Sequence, residues 1–174
     1  MDRHRSLHTS VRSVVVALTP AEAWDVVASG EDTRQWYVDA APFVFRGALD
    51  RLVLGPGRRH RPPGRTRRRG GDRVGFCDVV VAYHREHLLV LEARVRAPGR
   101  VVLEATVAPH DEGSTGEIAI TFHPRGLVGQ AYLLADLPAR GVVAELTMLD
   151  LLTVLRRRSD EDDNRSWSSS VDQV

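Results

Sequence analysis

The sequence predicts an α+β domain, a curved antiparallel sheet covered on one face by a long C-terminal helix. Three observations predict it. Four stretches between residues 74 and 123 read as successive strands, and three of them alternate apolar with polar residues. Residues 138–158 carry apolar residues near helical spacing. Between the two, the Pro124-Arg125-Gly126-Leu127 corner redirects the chain. A sheet and helix arranged in this way leave a hollow between them, which is where a ligand would go.

The elements follow in order. Residues 1–10 are polar and expected to be disordered. Val11, Val14, Val15, Val16 and Leu18 form a β-branched run that reads as a strand. Thr19 and Glu22 then have capping-box spacing and Pro20 suits a first helical position, so a short helix starts there. Trp24, Val27 and Ala28 supply its apolar face, and Gly30 is expected to end it. Residues 46–54 suggest a second short helix, with Leu49, Leu52 and Val53 on one side. Residues 55–71 are Pro, Gly and Arg without periodicity, which reads as a long exposed loop.

Strands are expected at 74–83, 87–96, 100–108 and 116–123. In the last three, Leu89, Leu91, Ala93 and Val95, then Val101, Leu103, Ala105 and Val107, then Ile118, Ile120 and Phe122 share one face. Pro98-Gly99 and residues 111–114 are turns, short enough for sequence neighbours to pair as a meander. In the last helix Val142, Val143, Leu146, Leu149, Leu152 and Leu155 are the expected buried stripe, and Arg156 to Arg158 suit its C-terminus. Residues 159–174, with Asp160, Glu161, Asp162 and Asp163, read as a disordered acidic tail. Residues 11–158 therefore form one domain, a size ordinary for 174 residues.

Hydrophobic residues at 43% and charged residues at 27% fit a globular protein, and no apolar run is long enough to span a bilayer. The basic N-terminus lacks the apolar segment of a secretory signal, so a cytoplasmic location and no membrane insertion are expected. Cys77, the single cysteine, reads as a small buried hydrophobe. Every one of the 24 basic residues is arginine. Eight of them fall in residues 55–73 beside one acid, Asp72, a local charge of +7 on a body of −6. Such a loop could meet an anion, or the acidic tail could screen it. Arg67-Arg68-Arg69-Gly70-Gly71 is one copy of an RGG-like string without aromatic interleaving, so no specific nucleic-acid binding is expected. His84 and His87 flank Glu86 in a turn, with no spaced partners to complete a metal set. No Gly-x-Gly-x-x-Gly follows a strand, and no cofactor is expected.

Strand, helix, short helix, antiparallel strands and long C-terminal helix, in that order, resemble the helix-grip fold of the SRPBCC (START and polyketide-cyclase-like) superfamily. Within it, Arg46 through Leu52, Gly57-Arg58-Arg59, Gly71-Asp72, Pro98-Gly99-Arg100 through Leu103-Glu104, and Pro124 through Leu127 with Gly129 and Tyr132 are similar to a bacterial family of unknown function. The similarity covers roughly residues 11–155. Val102 and Leu133 stand where that family commonly has aromatics. The resemblance implies a ligand-binding or small-molecule-acting domain, which in that family also occurs behind an atypical short-chain dehydrogenase domain. A short-chain dehydrogenase is therefore an implied partner.

Placed on that fold, Trp24, Trp36, Tyr37, Phe43, Phe45, Phe76 and Tyr132 are candidate cavity walls, although each taken singly is also ordinary core. Arg58 and Arg59 would lie near the mouth if the ligand is acidic, and Arg125 would tie down the corner. The ligand-binding set is thus Trp24, Trp36, Tyr37, Phe76, Arg58, Arg59, Arg125 and Tyr132. Asp72, Glu104 and Arg125 are the polar residues available for acid–base work, but alternation puts Glu104 on the polar face, where a cross-strand ion pair with Arg94 or Arg96 is expected. The expected function is binding of a small hydrophobic or amphipathic molecule between sheet and helix. The alternatives are a cyclase, dehydratase or isomerase acting on a polyketide-like or aromatic substrate, and an accessory module of a short-chain dehydrogenase.

Overall fold

A computed structural model describes residues 8–31, 36, 63–94 and 99–171, with the side chains of 128, 132–141 and 162–171 outside that description. The expected helix at 46–54 and the first part of the basic loop lie outside the described residues. Strand β1 (Thr9–Val16) starts two residues before its β-branched run. Helix α1 (Pro20–Val27) has the full capping box: Glu22 N donates to Thr19 Oγ1 at 3.3 Å, and Thr19 N donates to Glu22 Oε2 at 2.9 Å. That reciprocal pair satisfies two backbone donors that the helix start would otherwise leave open. It also holds the Glu22 carboxyl below the usual carboxylate range, chiefly through the hydrogen bond from the Thr19 side chain.

The chain then departs from expectation. Ala28 caps α1, and Ser29 and Gly30 form strand β2 (Ser29–Gly30), which pairs with β3 (Arg65–Arg67). Gly30 is needed for close approach, since a Cβ there would sit 2.7 Å from the Arg65 carbonyl oxygen. Part of the stretch expected as open loop is therefore structured. Strand β4 (Arg73–Val74) is separated from β5 (Cys77–Tyr83) by a break at Gly75, whose φ is +60°, and Phe76. The one strand expected over 74–83 is thus two that pair with each other.

Strands β5, β6 (Leu88–Ala93), β7 (Gly99–His110) and β8 (Gly113–Pro124) run as an antiparallel meander. β1 adds to the free edge of β8, giving the six-stranded order β1-β8-β7-β6-β5-β4. The registers Leu91↔Leu103↔Ile120 and Leu89↔Ala105↔Ile118 align the apolar residues on one face, as alternation predicts. Gly99 does not supply a positive-φ turn position. It opens β7 opposite Pro124, where a Cβ would lie 2.4 Å from the His123 carbonyl oxygen and 2.7 Å from the Phe122 ring.

Helix α2 (Gly126–Val171) is longer at both ends than expected. It begins directly after the corner, takes in Pro138, and continues to Val171 through the acidic stretch expected to be disordered. At 1.5 Å per residue it spans about 69 Å, against about 40 Å for a 12-residue strand, so part of it must reach beyond the sheet. It packs on β1, β8 and α1. Among its described side chains, Ala144, Thr147, Met148, Leu151 and Leu155 are buried. Of the expected stripe, Leu155 is buried and Val143 and Leu152 are partly so, whereas Val142, Leu146 and Leu149 face solvent. Thr147 is tolerated inside because its hydroxyl donates to the Val143 carbonyl at 2.7 Å. Arg12, in register with Ile118 on the covered face of β1, donates through Nε to Glu145 Oε2 of α2 at 2.6 Å. The architecture is the α+β helix-grip arrangement.

Candidate ligand site

The covered face of the sheet has two halves. α2 roofs β1 and β8, and α1 lies over β7 and β8. The β4–β6 half contributes Val74, Cys77, Val79, Leu89 and Leu91 to the same buried cluster, together with Trp24 and Trp36. Trp36 Nε1 donates to the Val27 carbonyl at 3.3 Å, which pins the indole beside the end of α1. Trp24 is wholly buried on α1, donates through Nε1 to His84 Nδ1 at 3.2 Å, and stacks on His87 at 5.4 Å. Both histidines of the β5–β6 turn are thereby engaged by one tryptophan. Among the described residues no group of three His, Cys, Asp or Glu side chains could hold a metal ion.

The residue that sequence reasoning missed is Arg68. Backbone pairing explains its direction: β3 runs antiparallel to β2, and the Arg68 amide donates to the Ala28 carbonyl at 3.0 Å. Arg65, Arg67 and Arg69 stay exposed, while the Arg68 side chain goes inward and is fully buried. Burial pulls its guanidinium down to about 10, against the opposing pull of Asp72 and Cys77 nearby, so it remains a cation at neutral pH. Burial likewise pushes the Cys77 thiol up to about 12 despite Arg68, which leaves it a poor nucleophile. The turn after Arg68 is tied in place by Asp72. Its Oδ2 accepts from the Arg69 amide at 2.8 Å, its Oδ1 meets Arg65 at 3.3 Å, and its carbonyl accepts from the Val79 amide at 2.8 Å. One signal could have found Arg68. It is the first residue after a segment that pairs with the end of α1, but that pairing joins residues almost 40 apart.

The expected set is only partly assembled. Trp24 and Trp36 are buried in one cluster and Phe76 is half-buried against it. Arg125 is exposed at the corner. Tyr37, Arg58 and Arg59 lie outside the described residues, as do Phe43 and Phe45, and so does the side chain of Tyr132. Glu104 stands on the open face between Val90 and Ala119, and Arg94 pairs instead with Asp78. Of the two expected partners of Glu104, Arg94 is engaged by Asp78 because the register sets Glu104 opposite Val90 and not Arg94, and Arg96 lies outside the described residues. Asp72 holds a turn rather than an open catalytic position. An open polar groove also runs along Thr9 to Ser13 at the β1 edge, and it carries no ionisable cluster.

A family model described as "Protein of unknown function (DUF2867)" matches residues 3–147. The chain belongs to this family. A comparison with curated proteins returns no match. Among solved structures, the chain is similar to protein MLL2253 from Mesorhizobium loti, at 13% identity and a TM-score of 0.48, covering 86% of this chain and 97% of that one. It is also similar to a Polyketide_cyc-like protein, Cgl2372 from Corynebacterium glutamicum, at 18% identity and a TM-score of 0.45, over 92% and 96% of the two chains. A third is Ara h 8.0201, at 13% identity and a TM-score of 0.40, over 83% and 97%. No described helix of this DUF2867 chain is long and apolar enough to cross a membrane.

Proposed function

We infer that this DUF2867 protein binds a small hydrophobic or amphipathic molecule between the sheet and the C-terminal helix, towards the β4–β6 half. The observation that carries the reading is the character of the interior there. Two tryptophans, aliphatic side chains and one guanidinium are buried together, the mix of apolar wall and sparse placed polar group that suits small-molecule sites. The same interior favours binding over acid–base catalysis. Arg68 is the one fully buried charged side chain among the described residues, and a guanidinium does not exchange protons near neutrality. The test is titration of the purified full chain with the neutral fluorophore N-phenyl-1-naphthylamine. Saturable enhancement at one site per chain is expected, and no enhancement at protein concentrations up to the millimolar range sinks the reading.

One observation favours a second role, as accessory module to a short-chain dehydrogenase. Val142, Leu146 and Leu149 are exposed on the side of α2 opposite its buried residues, where a partner could cover them. Co-elution with a dehydrogenase encoded beside this chain, lost in Leu149→Glu with dye binding retained, is the expected result. Co-elution unaffected by that substitution removes the role assigned to the stripe.

A further inference from the structure

The six-stranded sheet ends in two unlike edges. On one side β4 is two residues long; on the other β1 runs for eight residues and, among the described residues, pairs only with β8. One bond fixes the direction of its backbone groups. The Phe122 amide donates to the His8 carbonyl at 2.9 Å and the register continues without a shift, so residues 10, 12, 14 and 16 also turn their amides and carbonyls to β8. Val11, Ser13 and Val15 turn theirs the other way, onto the open edge that the groove along residues 9–13 follows. The Val11 carbonyl, met by Arg12 Nη1 of the same strand at 2.8 Å, agrees with this phase. Sheet edges are commonly guarded by proline, a bulge or an inward charge. Residues 11–15 have no proline and no bulge, and their one charge, Arg12, is already answered by Glu145. A second uncovered surface lies beside this edge. α2 lies over both β1 and β8, and the bond from Arg12 turns Glu145 towards the β1 side. Val142 and Leu149, 59% and 48% exposed, stand one turn before and one turn after Glu145.

We propose that a second copy of this chain adds to this edge, β1 against β1, about a two-fold axis at Ser13. The surface is complementary to itself in three ways. Antiparallel pairing about Ser13 sets Val11 of each copy opposite Val15 of the other on the open face, and the outward backbone groups of three residues per copy bond across the join. Strands are spaced about 4.8 Å apart and α2 lies about half a spacing inside β1, so the two α2 axes come about 10 Å apart, where helices pack. Because Arg12 holds Glu145 at the level of the axis, the helices run antiparallel and Leu149 of each copy meets Val142 of the other. The two Arg12–Glu145 pairs gather there as four charges of zero sum. A strand join and helix crossing of this length bury roughly 1,000 Å², where specific interfaces begin, so a weak, concentration-dependent dimer is expected. One symmetry operation completes the edge and covers the helix beside it, whereas a partner of different sequence must match the two surfaces separately. The proposal goes beyond the ligand-binding reading and does not depend on it. A dehydrogenase on the same stripe of α2 is the competing occupant.

Sedimentation velocity of the purified full chain, from low to high micromolar concentration, reads the assembly. Native protein is expected to pass from one chain to two as concentration rises. Ser13→Pro removes an amide that points away from β8, so β1 keeps its own sheet while the join loses its central bonds. The dimer dissociation constant should rise at least about tenfold. Leu149→Glu should weaken the dimer by a similar factor, and Val80→Glu, exposed on β5 at the far side of the sheet, should leave it unchanged. Far-UV circular dichroism checks that each variant is folded. Should Ser13→Pro not fold, Ser13→Cys decides. Across the axis the two Cα atoms lie about 5.5 Å apart, within disulfide reach, so mild oxidation should link Ser13→Cys into a covalent dimer. Val80→Cys should not link, and the buried Cys77 stays out of the reaction. A native chain that stays monomeric throughout, whether or not a dehydrogenase binds α2, overturns the proposal. So does a dimer that survives a folded Ser13→Pro, a dimer lost only in Leu149→Glu, or a Ser13→Cys chain that does not cross-link.

Discussion

Two leucines one half-turn apart on α2 test the packing that defines the covered face. Leu151 is 1% exposed and Leu149 is 48% exposed. Leu151→Ala deletes atoms packed against the sheet and leaves a cavity in a region where Ala144, Met148 and Leu155 are also buried. Such substitutions cost about 2.7–5 kcal/mol. Leu149→Ala removes surface that is about half in water already. Full burial of a leucine is worth roughly 1.5–3 kcal/mol, so about half of that is at stake, and alanine's better helix propensity returns a few tenths. A loss under about 1 kcal/mol is expected. Urea unfolding followed by far-UV circular dichroism, with both variants and native protein fitted to one slope, reads the difference. Equal losses, or a larger loss for Leu149, would show that α2 lies on the sheet through the other stripe, and the placement of the site beside it would fall.

Two further outcomes follow from the same geometry. The Cys77 thiol is raised from 9.0 to about 12 in the folded chain, so its contribution is intact below pH 9 and is lost as pH climbs from 9 towards 12. The stability difference between native protein and Cys77→Ala should narrow by roughly 1 kcal/mol from pH 8 to pH 10, at about 1.4 kcal/mol per unit above the unfolded value, and a constant difference would contradict the burial. Thr19→Ala removes the acceptor for the Glu22 amide and should cost about 1 kcal/mol. Because the Glu22 carboxyl is lowered in the folded state, that cost should shrink as pH falls below the ordinary carboxylate range, and an unchanged cost at pH 3 would argue against the capping box.

Local pattern determined much of this protein. Period-two alternation placed Leu89, Leu91, Leu103, Ala105, Ile118 and Ile120 on one face, because successive strand side chains must point to opposite sides. Capping chemistry placed the start of α1, because Thr19, Pro20 and Glu22 act within one helical turn. Glycines marked special places but not their reasons: Gly30 and Gly99 are set by a backbone that arrives from elsewhere in the chain.

Tertiary contact alone decided the rest. α2 carries two apolar seams of similar spacing on opposite sides, and only the approach of β1 and β8 selects Ala144, Met148, Leu151 and Leu155 over Val142, Leu146 and Leu149. The arginine-rich stretch reads as uniformly solvated because composition has no direction. Pairing of Arg65–Arg67 with Ser29–Gly30 supplies that direction and turns Arg68 inward. Periodicity fixes which residues share a side of an element, whereas which side is buried depends on the partner it meets, and for α2 and Arg68 that partner is remote in sequence.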